Sequence, residues 1–518
     1  RRGMCMIYLR LDDEFYRYDI YHITKMFFPG KQIIVSENTG RTDISGSEKE
    51  ETGDCIFIRA SVKETGAGNG SFNLIIDIKS PGYETSYSRE KSFDTGQDTL
   101  KLLKQELSRL LYEALSIYTK KKIPWGILTG IRPAKIAMEM IEEGMDNQRI
   151  LEHLEHYYMV SHRKARLALE IARTEKEILD RSKDNMIGVY IGIPFCRTRC
   201  LYCSFTSYCV SRYEKLMLVD KYIDMLKKEL YFGNELIKEK GYTIQSIYIG
   251  GGTPTSISAR QMKDLLGFIE ETFSLENLEE FTLEAGRPDT IDEEKLLVIK
   301  NSRVNRISIN PQTMNDATLR LIGRNHSSED VRKAFYLARD VGFNNINMDV
   351  IVGLPGENCE MFRNTLEEIK KMEPESLTVH ALAIKRASRL NEEQKEFEHV
   401  PDEEAAGMVD MAYEYALSMG MRPYYMYRQK NIAGNLENVG YCKPGFESIY
   451  NVQIMEEKQT LLAFGAGGVS KVVYSDENKI ERAFNVKSPE EYIGRIDEMI
   501  ARKRELFTCI HSSPRCSR

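Results

Sequence analysis

Three cysteines stand close together in the segment YIGIPFCRTRCLYCSF, at the end of an apolar run. They are Cys196, Cys200 and Cys203. Structural zinc usually has four protein ligands and a disulfide needs two, so three thiols suit neither. A [4Fe-4S] cluster held by three thiolates leaves one iron open to a small molecule. The spacing favours such a cluster. The alternatives are a zinc site completed by Cys209 or a distant histidine, and unrelated cytosolic thiols.

The composition is typical of a soluble globular protein. Of 518 residues, 42% are hydrophobic and 29% are charged, and this length predicts roughly three domains. The sequence has no run of about 18 apolar residues and no secretory signal pattern. Its ten cysteines suggest no disulfide framework. We therefore expect a cytoplasmic protein without a membrane span, and the net charge of −6 gives no overall attraction to nucleic acid.

The chain before residue 185 is predicted to form a small α+β domain and a helical connector. Four β-rich pieces, MCMIYLRL, KQIIVSE, CIFIRA and FNLIIDIK, are separated by turn-forming residues. TLKLLKQELSRLLYEALSIY then places leucines at helical spacing. We expect the domain over residues 1–120 and the connector over residues 121–184.

After residue 185, strands alternate with helices. Six apolar runs, IGVYIGI, IQSIYIG, EFTLEA, VNRISI, INMDVIVGL and LTVHALAI, are separated by helical patterns. Because βα crossovers are right-handed, consecutive units form a parallel sheet that curls toward a barrel. The predicted fold is α/β: a partial (β/α)6 TIM-type barrel over residues 185–400, with the N-terminal α+β domain and a C-terminal extension over residues 401–518.

Polar motifs gather where the predicted strands end. The cysteine loop follows the first strand, GGGTPT ends the second, Glu284 ends the third, Gln312 follows the fourth and Asp349 lies in the fifth. Chemistry in TIM-type barrels takes place at the carboxyl ends of the strands. This placement strengthens the cluster interpretation.

The motif CRTRCLYC resembles the CxxxCxxC signature of radical S-adenosylmethionine (SAM) enzymes. From about Ile187 to Lys471, the segments YIGIPFC, GGGTPT, NRISINPQ, LIGRNH, MDVIVGLPGE and AFGAGGVS are similar, in order, to the oxygen-independent coproporphyrinogen III oxidase family. The resemblance is greatest to its HemZ-like branch, which also carries an N-terminal extension.

The resemblance implies roles for individual residues. Cys196, Cys200 and Cys203 would bind the cluster, whose open iron chelates SAM. Glycines in GGGTPT would let the backbone approach the methionine end of SAM. The implied SAM-binding residues are Tyr190, Tyr202, Gly251, Gly252, Thr253, Glu284, Gln312, Arg324, Asp349 and Ala383.

The reaction implied is an oxidative decarboxylation. A 5'-deoxyadenosyl radical removes hydrogen from a porphyrinogen propionate, and loss of CO₂ and one electron leaves a vinyl group, twice per coproporphyrinogen III. The implied partners are a porphyrinogen or haem and an electron donor such as flavodoxin or ferredoxin.

A tetracarboxylate substrate needs fixed cations, because a buried carboxylate without a partner is costly and arginine binds it bidentately. The segments HALAIKRASRL and PYYMYRQK supply the candidate substrate ligands Lys385, Arg386, Arg389 and Arg428.

The sequence departs from the family pattern at several positions. Phe205 stands where coproporphyrinogen oxidases have a fourth cysteine, as in the related haem chaperones. Those chaperones carry an HN pair where this chain has Tyr450-Asn451, although tyrosine can also ligate haem iron. Gly192 stands where relatives often have histidine, and EAGRPDT replaces EANPGT. Three hypotheses remain: a porphyrinogen-decarboxylating enzyme, a haem-binding chaperone and a radical methyltransferase acting on haem.

Overall fold

The computed structural model describes residues 6–37, 55–65, 70–93, 98–130, 132–205, 207–383, 400–428, 436–474 and 479–508. The chain forms two compact units, Arg1–Leu169 and Glu170–Arg518. The four-part division of the chain stays a prediction. Within the described ranges, no helix is long and apolar enough to cross a membrane.

The first unit is built on a five-stranded sheet. Its strands are β1 (Ile7–Leu11), β2 (Ile33–Glu37), β3 (Ile56–Glu64), β4 (Ser71–Ser80) and β5 (Tyr83–Ser92), in the order β2-β1-β3-β4-β5. β1 is parallel to both neighbours, whereas β3, β4 and β5 are antiparallel. The four predicted strands are confirmed. β5 was missed because its residues alternate between half-buried and exposed and include few apolar side chains.

Helices accompany this sheet. The helix Thr99–Thr119 matches the predicted leucine pattern and begins at Asp98, whose carboxylate accepts a hydrogen bond from the Lys101 amide. Its buried leucines join the core formed by β1, β3 and β4. The helices in this part of the chain are Arg17–Phe27, Thr99–Thr119, Ala134–Glu142, Asn147–Glu152 and His162–Leu179.

The second unit contains a mixed sheet of eleven strands and a two-stranded ribbon, β7 with β8. Its strands are β6 (Met186–Ile193), β7 (Phe195–Cys196), β8 (Tyr208–Cys209), β9 (Thr243–Gly251), β10 (Glu280–Glu284), β11 (Arg306–Ser308), β12 (Ile346–Val352), β13 (Ser376–Ala381), β14 (Arg422–Arg428), β15 (Glu437–Cys442), β16 (Leu461–Phe464), β17 (Val469–Tyr474) and β18 (Lys479–Phe484). Its helices are Val210–Lys215, Leu218–Lys240, Ala259–Thr272, Glu293–Lys300, Asp316–Leu321, Ser328–Asp340, Cys359–Met372, Asp402–Ser418, Ile449–Glu456, Pro489–Gly494 and Ile496–Thr508.

Six neighbouring parallel strands, in the order β6-β9-β10-β11-β12-β13, confirm the partial TIM-type barrel. The sequence did not predict that the C-terminal region continues this sheet on both sides. β16 adds a parallel strand beside β6 and is followed by antiparallel β17 and β18. β15 and β14 add antiparallel strands beside β13.

The two faces of the barrel strands differ in chemistry. In β12, Met348 and Val350 are fully buried apolar residues, whereas Asn347 and Asp349 alternate with them and contact each other. Successive side chains of a strand point to opposite faces. The polar face therefore forms the barrel interior, where Asp349 meets His380 of β13.

A buried ion pair joins the C-terminal helix to the barrel. Lys503, 1% exposed, donates to Glu229 Oε1 at 2.5 Å and to Asn485 Oδ1 at 2.7 Å. Glu229 Oε2 accepts from the Tyr492 hydroxyl at 2.6 Å and from the Gly465 amide at 2.8 Å. The network thus fixes the loop after β16 against the helix Leu218–Lys240.

Candidate functional site

The cysteine loop begins immediately after the first barrel strand. Cys196 ends β7, and its Sγ lies 3.4 Å from Thr253 Oγ1, at the end of β9. The Cys203 amide donates to the Cys200 carbonyl at 3.2 Å, and the Leu201 amide donates to the Ile322 carbonyl at 3.0 Å. These bonds hold the loop at the carboxyl-end mouth of the barrel.

Two of the three thiols, Cys196 and Cys203, lie in surroundings that disfavour their ionisation. Burial raises the pKa of Cys196, and burial together with the two neighbouring cysteines raises the pKa of Cys203 to about 11. Bound metal cations reverse this preference, because a coordinating thiol is deprotonated outright. The site is therefore suited to a group of several metal cations, whose positive charge offsets the negative charge of several thiolates.

The backbone beside the cysteines has the shape that a bound cluster and ligand require. Gly251 has φ +113°, and a Cβ on Gly252 would lie 2.6 Å from the Phe195 carbonyl oxygen and 3.0 Å from Cys196 Sγ. Only glycine allows this approach without moving Cys196. The residues present therefore fit the predicted cluster.

The zinc alternative requires a different geometry from the cluster. Among the described residues, no three His, Cys, Asp or Glu side chains converge on a point that could hold a metal ion. A single zinc ion needs its sulfur ligands about 2.3 Å away, whereas each thiolate of a cluster binds a different iron. Cys209, the candidate fourth zinc ligand, is exposed and donates to the Arg197 carbonyl at 3.4 Å.

Glu284 and Asp349 lie in the barrel interior. The Tyr248 hydroxyl donates to Glu284 Oε1 at 2.5 Å. Burial, with the negative charge of Asp349, raises the pKa of Glu284 to about 7 against the effect of that hydrogen bond. The charge on this carboxyl therefore depends on the groups around it. A cationic ligand nearby would draw it to the carboxylate form.

Asp349 is held ionised by its neighbours. Burial alone would raise the pKa of this carboxyl, but the nearby His380 and hydrogen bonds from Asn347 and Thr378 outweigh it. Asn347 Nδ2 donates to Asp349 Oδ1 at 2.7 Å, and His380 Nε2 lies 3.8 Å from Asp349 Oδ2. The net pKa is lowered, so the interior retains one fixed negative charge.

Unsatisfied polar atoms surround the mouth of the barrel. Gln312, 8% exposed, has φ +68° and a buried Oε1 without a hydrogen-bond partner among the described residues. Arg324 donates to the Gly286 carbonyl at 2.6 Å and to the Tyr202 hydroxyl at 3.4 Å, while its Nε has no partner in that part of the chain. Buried polar groups without partners are rare and point to a missing ligand or water.

Ala383 lies two residues after β13 and is half-buried.

Three tyrosines, Tyr190, Tyr248 and Tyr450, stack in the barrel interior. Tyr248 lies 4.4 Å from Tyr450 and 6.4 Å from Tyr190 between ring centroids. The Tyr450 amide donates to Glu280 at 3.1 Å. Burial raises the pKa of Tyr450 well above its usual value. This placement does not favour Tyr450 as a haem-iron ligand, because its ring packs against Tyr190 and Tyr248.

The candidate substrate ligands are only partly described. Lys385, Arg386 and Arg389 lie outside the described residues. Arg428 is 4% exposed in β14, opposite Glu437 of β15. Burial lowers the pKa of Arg428 to about 10 despite Glu437.

Sequence reasoning missed Arg287 and His380 as residues of the site. Arg287 contacts the cysteine loop, and His380 contacts Asp349. The only available signal was their position at or after the carboxyl ends of barrel strands, which many structural residues share. Only the direction of each side chain in the structure distinguishes these site residues from structural residues at similar positions.

Comparisons with known proteins identify the family of the chain. Residues 190–369 match the family model of the radical SAM superfamily. The Bacillus subtilis (strain 168) protein named oxygen-independent coproporphyrinogen-III oxidase-like protein HemZ is 40% identical over 440 residues, covering 83% of this chain and 87% of that protein. Heme chaperone HemW of the same organism is 33% identical over 285 residues, covering 54% of this chain and 70% of that protein.

The solved structure of coproporphyrinogen III oxidase (HemN) from Escherichia coli shares the fold. Its TM-score is 0.50 at 21% identity, covering 64% of this chain and 73% of that chain. The match of sequence along most of both chains is what decides the family. The chain belongs to the HemZ-like branch of the oxygen-independent coproporphyrinogen III oxidase family, within the radical SAM superfamily.

Proposed function

We propose that the protein binds a [4Fe-4S] cluster and SAM at the barrel mouth and decarboxylates two propionates of coproporphyrinogen III to vinyl groups. The observation that carries the proposal is that the cysteine loop, the glycine-rich backbone after β9 and the acidic side chains of the barrel interior lie at one end of the barrel. Cys196 lies against Thr253 and the glycine backbone, and the acidic interior with its unpartnered polar atoms lies beside them.

The thiolates of Cys196, Cys200 and Cys203 would hold the cluster. When bound, the cluster and SAM supply a carbon radical that removes one hydrogen atom from the substrate. Each propionate would then lose CO₂ and pass one electron to an external one-electron acceptor to become a vinyl group, and flavodoxin or ferredoxin would supply the electron that each cleavage of SAM consumes. The stack of Tyr190, Tyr248 and Tyr450 packs in the barrel interior beside Glu284.

Glu284 and Asp349 would position SAM rather than react. Their carboxylates accept hydrogen bonds and attract positive charge, and Tyr248 and His380 hold them in place. Gln312 Oε1 and Arg324 Nε, which have no partner among the described residues, would form hydrogen bonds with the same ligand.

The replacement Asp349→Ala is expected to weaken SAM binding at least tenfold and to reduce SAM cleavage, with iron content unchanged. Binding is measured by equilibrium dialysis of labelled SAM, and cleavage by 5'-deoxyadenosine formed under dithionite. Asp340→Ala, at an exposed helix end, is the control and should behave as wild type. Normal SAM binding and cleavage by Asp349→Ala would assign Asp349 a structural role.

Arg386 and its neighbours would bind the substrate propionates. Truncating such a ligand should cost about 1.5 to 3 kcal/mol, the range for a hydrogen bond to a charged group. We expect Arg386→Ala to raise the apparent substrate constant about tenfold or more, while SAM cleavage without substrate continues. Exposed Arg363→Ala is the charge-matched control. Unchanged substrate dependence in both Arg386→Ala and Lys385→Ala would move the propionate site elsewhere.

Haem binding is the second candidate, supported by the likeness to heme chaperone HemW and by Phe205 in place of a fourth cysteine. One anaerobic experiment separates the possibilities. Reconstituted protein with SAM, reductant and coproporphyrinogen III should release CO₂ and form vinyl products. Without turnover, stoichiometric haem binding would favour the chaperone, and transfer of a methyl group from SAM to haem would favour the methyltransferase.

A further inference from the structure

A buried arginine contacts one of the cluster cysteines. Arg287 lies three residues after the end of β10 and is 4% exposed. Its Nη1 donates to Cys200 Sγ at 3.6 Å, within the range for a sulfur acceptor, and to the carbonyl and hydroxyl oxygens of Thr198 at 3.1 and 3.0 Å. The guanidinium therefore reaches the cysteine loop directly.

Asp289 fixes the orientation of this guanidinium. Arg287 Nε and Nη2 donate to the two carboxylate oxygens of Asp289 at 2.9 and 3.0 Å. In this bidentate pair the planar fork cannot rotate, so the Nη1 hydrogens remain directed at Thr198 and Cys200. Burial alone would lower the pKa of Arg287, but Asp289 and Cys200 more than offset it, and the net shift is upward.

Two further basic residues, Arg324 and His326, lie near the Arg287–Asp289 pair. Arg324 is held by the Gly286 carbonyl. His326 Nδ1 lies 4.0 Å from Asp289 Oδ1, and burial, with the positive charge of Arg324, lowers the pKa of His326 to about 3, so this ring is neutral. Arg287 is a buried cation that donates a hydrogen bond to the sulfur of a predicted cluster ligand.

We propose that Arg287 raises the reduction potential of the cluster by stabilising the extra negative charge that reduction places on the iron and sulfur atoms. Reduction potentials of iron–sulfur clusters depend on net charge, hydrogen bonds to sulfur and solvent exposure, and Arg287 acts on the first two. The inference rests on the proposed cluster and concerns its ease of reduction, which SAM cleavage requires. The step is the transfer of one electron from an external reductant to the cluster, with no bond broken.

Paired substitutions test the sign of the effect. Arg287→Met removes the cation and the hydrogen bond and should reduce the equilibrium constant for one-electron reduction about tenfold, a shift of roughly 59 mV downward. Asp289→Asn removes a negative charge, yet its amide oxygen can still accept from Arg287, so reduction should become severalfold more favourable. A role in folding alone would not move the two potentials in opposite directions.

The measurement is a dithionite titration of reconstituted full-length protein, followed by electron paramagnetic resonance at poised potentials. Arg287→Lys should fall between wild type and Arg287→Met. Arg339 is a half-buried arginine of the helix Ser328–Asp340 and pairs with Glu375. Arg339→Met should leave the potential unchanged. Equal potentials in wild type and Arg287→Met, shifts of the same sign in both variants, or a folded Arg287→Met that takes up no iron would each overturn the inference. Absence of a cluster from wild type would instead contradict the proposed function.

Discussion

Cys200→Ala protein, reconstituted anaerobically, is expected to retain less than a quarter of the wild-type iron and to cleave no SAM. Wild type should hold about four irons per chain, as one [4Fe-4S] cluster requires. Removing one thiolate leaves a second iron without a protein ligand. The two remaining cysteines then hold the cluster too weakly to survive gel filtration.

Iron analysis and the visible absorption spectrum check this expectation. Cys359→Ala is the control, because Cys359 is a half-buried cysteine at the start of a helix, outside the CxxxCxxC loop. Loss of iron from Cys359→Ala with retention in Cys200→Ala would show that the cluster lies elsewhere.

Lys503→Met is expected to be the most destabilising change in the second unit. Glu229 and Lys503 are 0% and 1% exposed, so removing the ammonium group leaves a buried carboxylate without its counter-charge. Breaking a buried ion pair by removing one partner typically costs about 3–5 kcal/mol. The Gly465 loop would be released at the same time, since Glu229 accepts from its amide.

Urea unfolding followed by circular dichroism tests this prediction. The double variant Glu229→Gln/Lys503→Met should recover much of the loss, because replacing both charges is far less costly than removing one. Arg495→Met breaks an exposed pair with Glu498 and should cost less than about 1 kcal/mol. A Lys503→Met midpoint equal to that of Arg495→Met would show that the buried pair contributes no net stability.

Features of the fold that correspond to a short local pattern in the sequence could be predicted from it. Each barrel strand appears as a short apolar run, and the cysteines, glycines and acids fall where those strands end, so their convergence could be predicted from topology. β5 has no such run because it is half-exposed along its length. β16 was missed because nothing local indicates that Leu461–Phe464 pairs with β6.

Contacts between distant residues could not be predicted. Glu229 and Lys503 are 274 residues apart, and each reads as an ordinary charge on an amphipathic helix. Arg287 follows a strand like many loop arginines, and only its orientation by Asp289 directs it toward Cys200. Tyr450 was considered for haem ligation by its alignment with a histidine, whereas the fold places it in a tyrosine stack.

The central claim is that three cysteines hold a cluster whose open iron binds SAM. It is tested most directly by electron paramagnetic resonance of the reduced, reconstituted protein with and without SAM. We expect about four irons per chain, a signal from the reduced cluster and a clear change of that signal when SAM is added. Stoichiometric zinc without iron after anaerobic reconstitution, or a cluster signal that SAM leaves unchanged, would contradict the account.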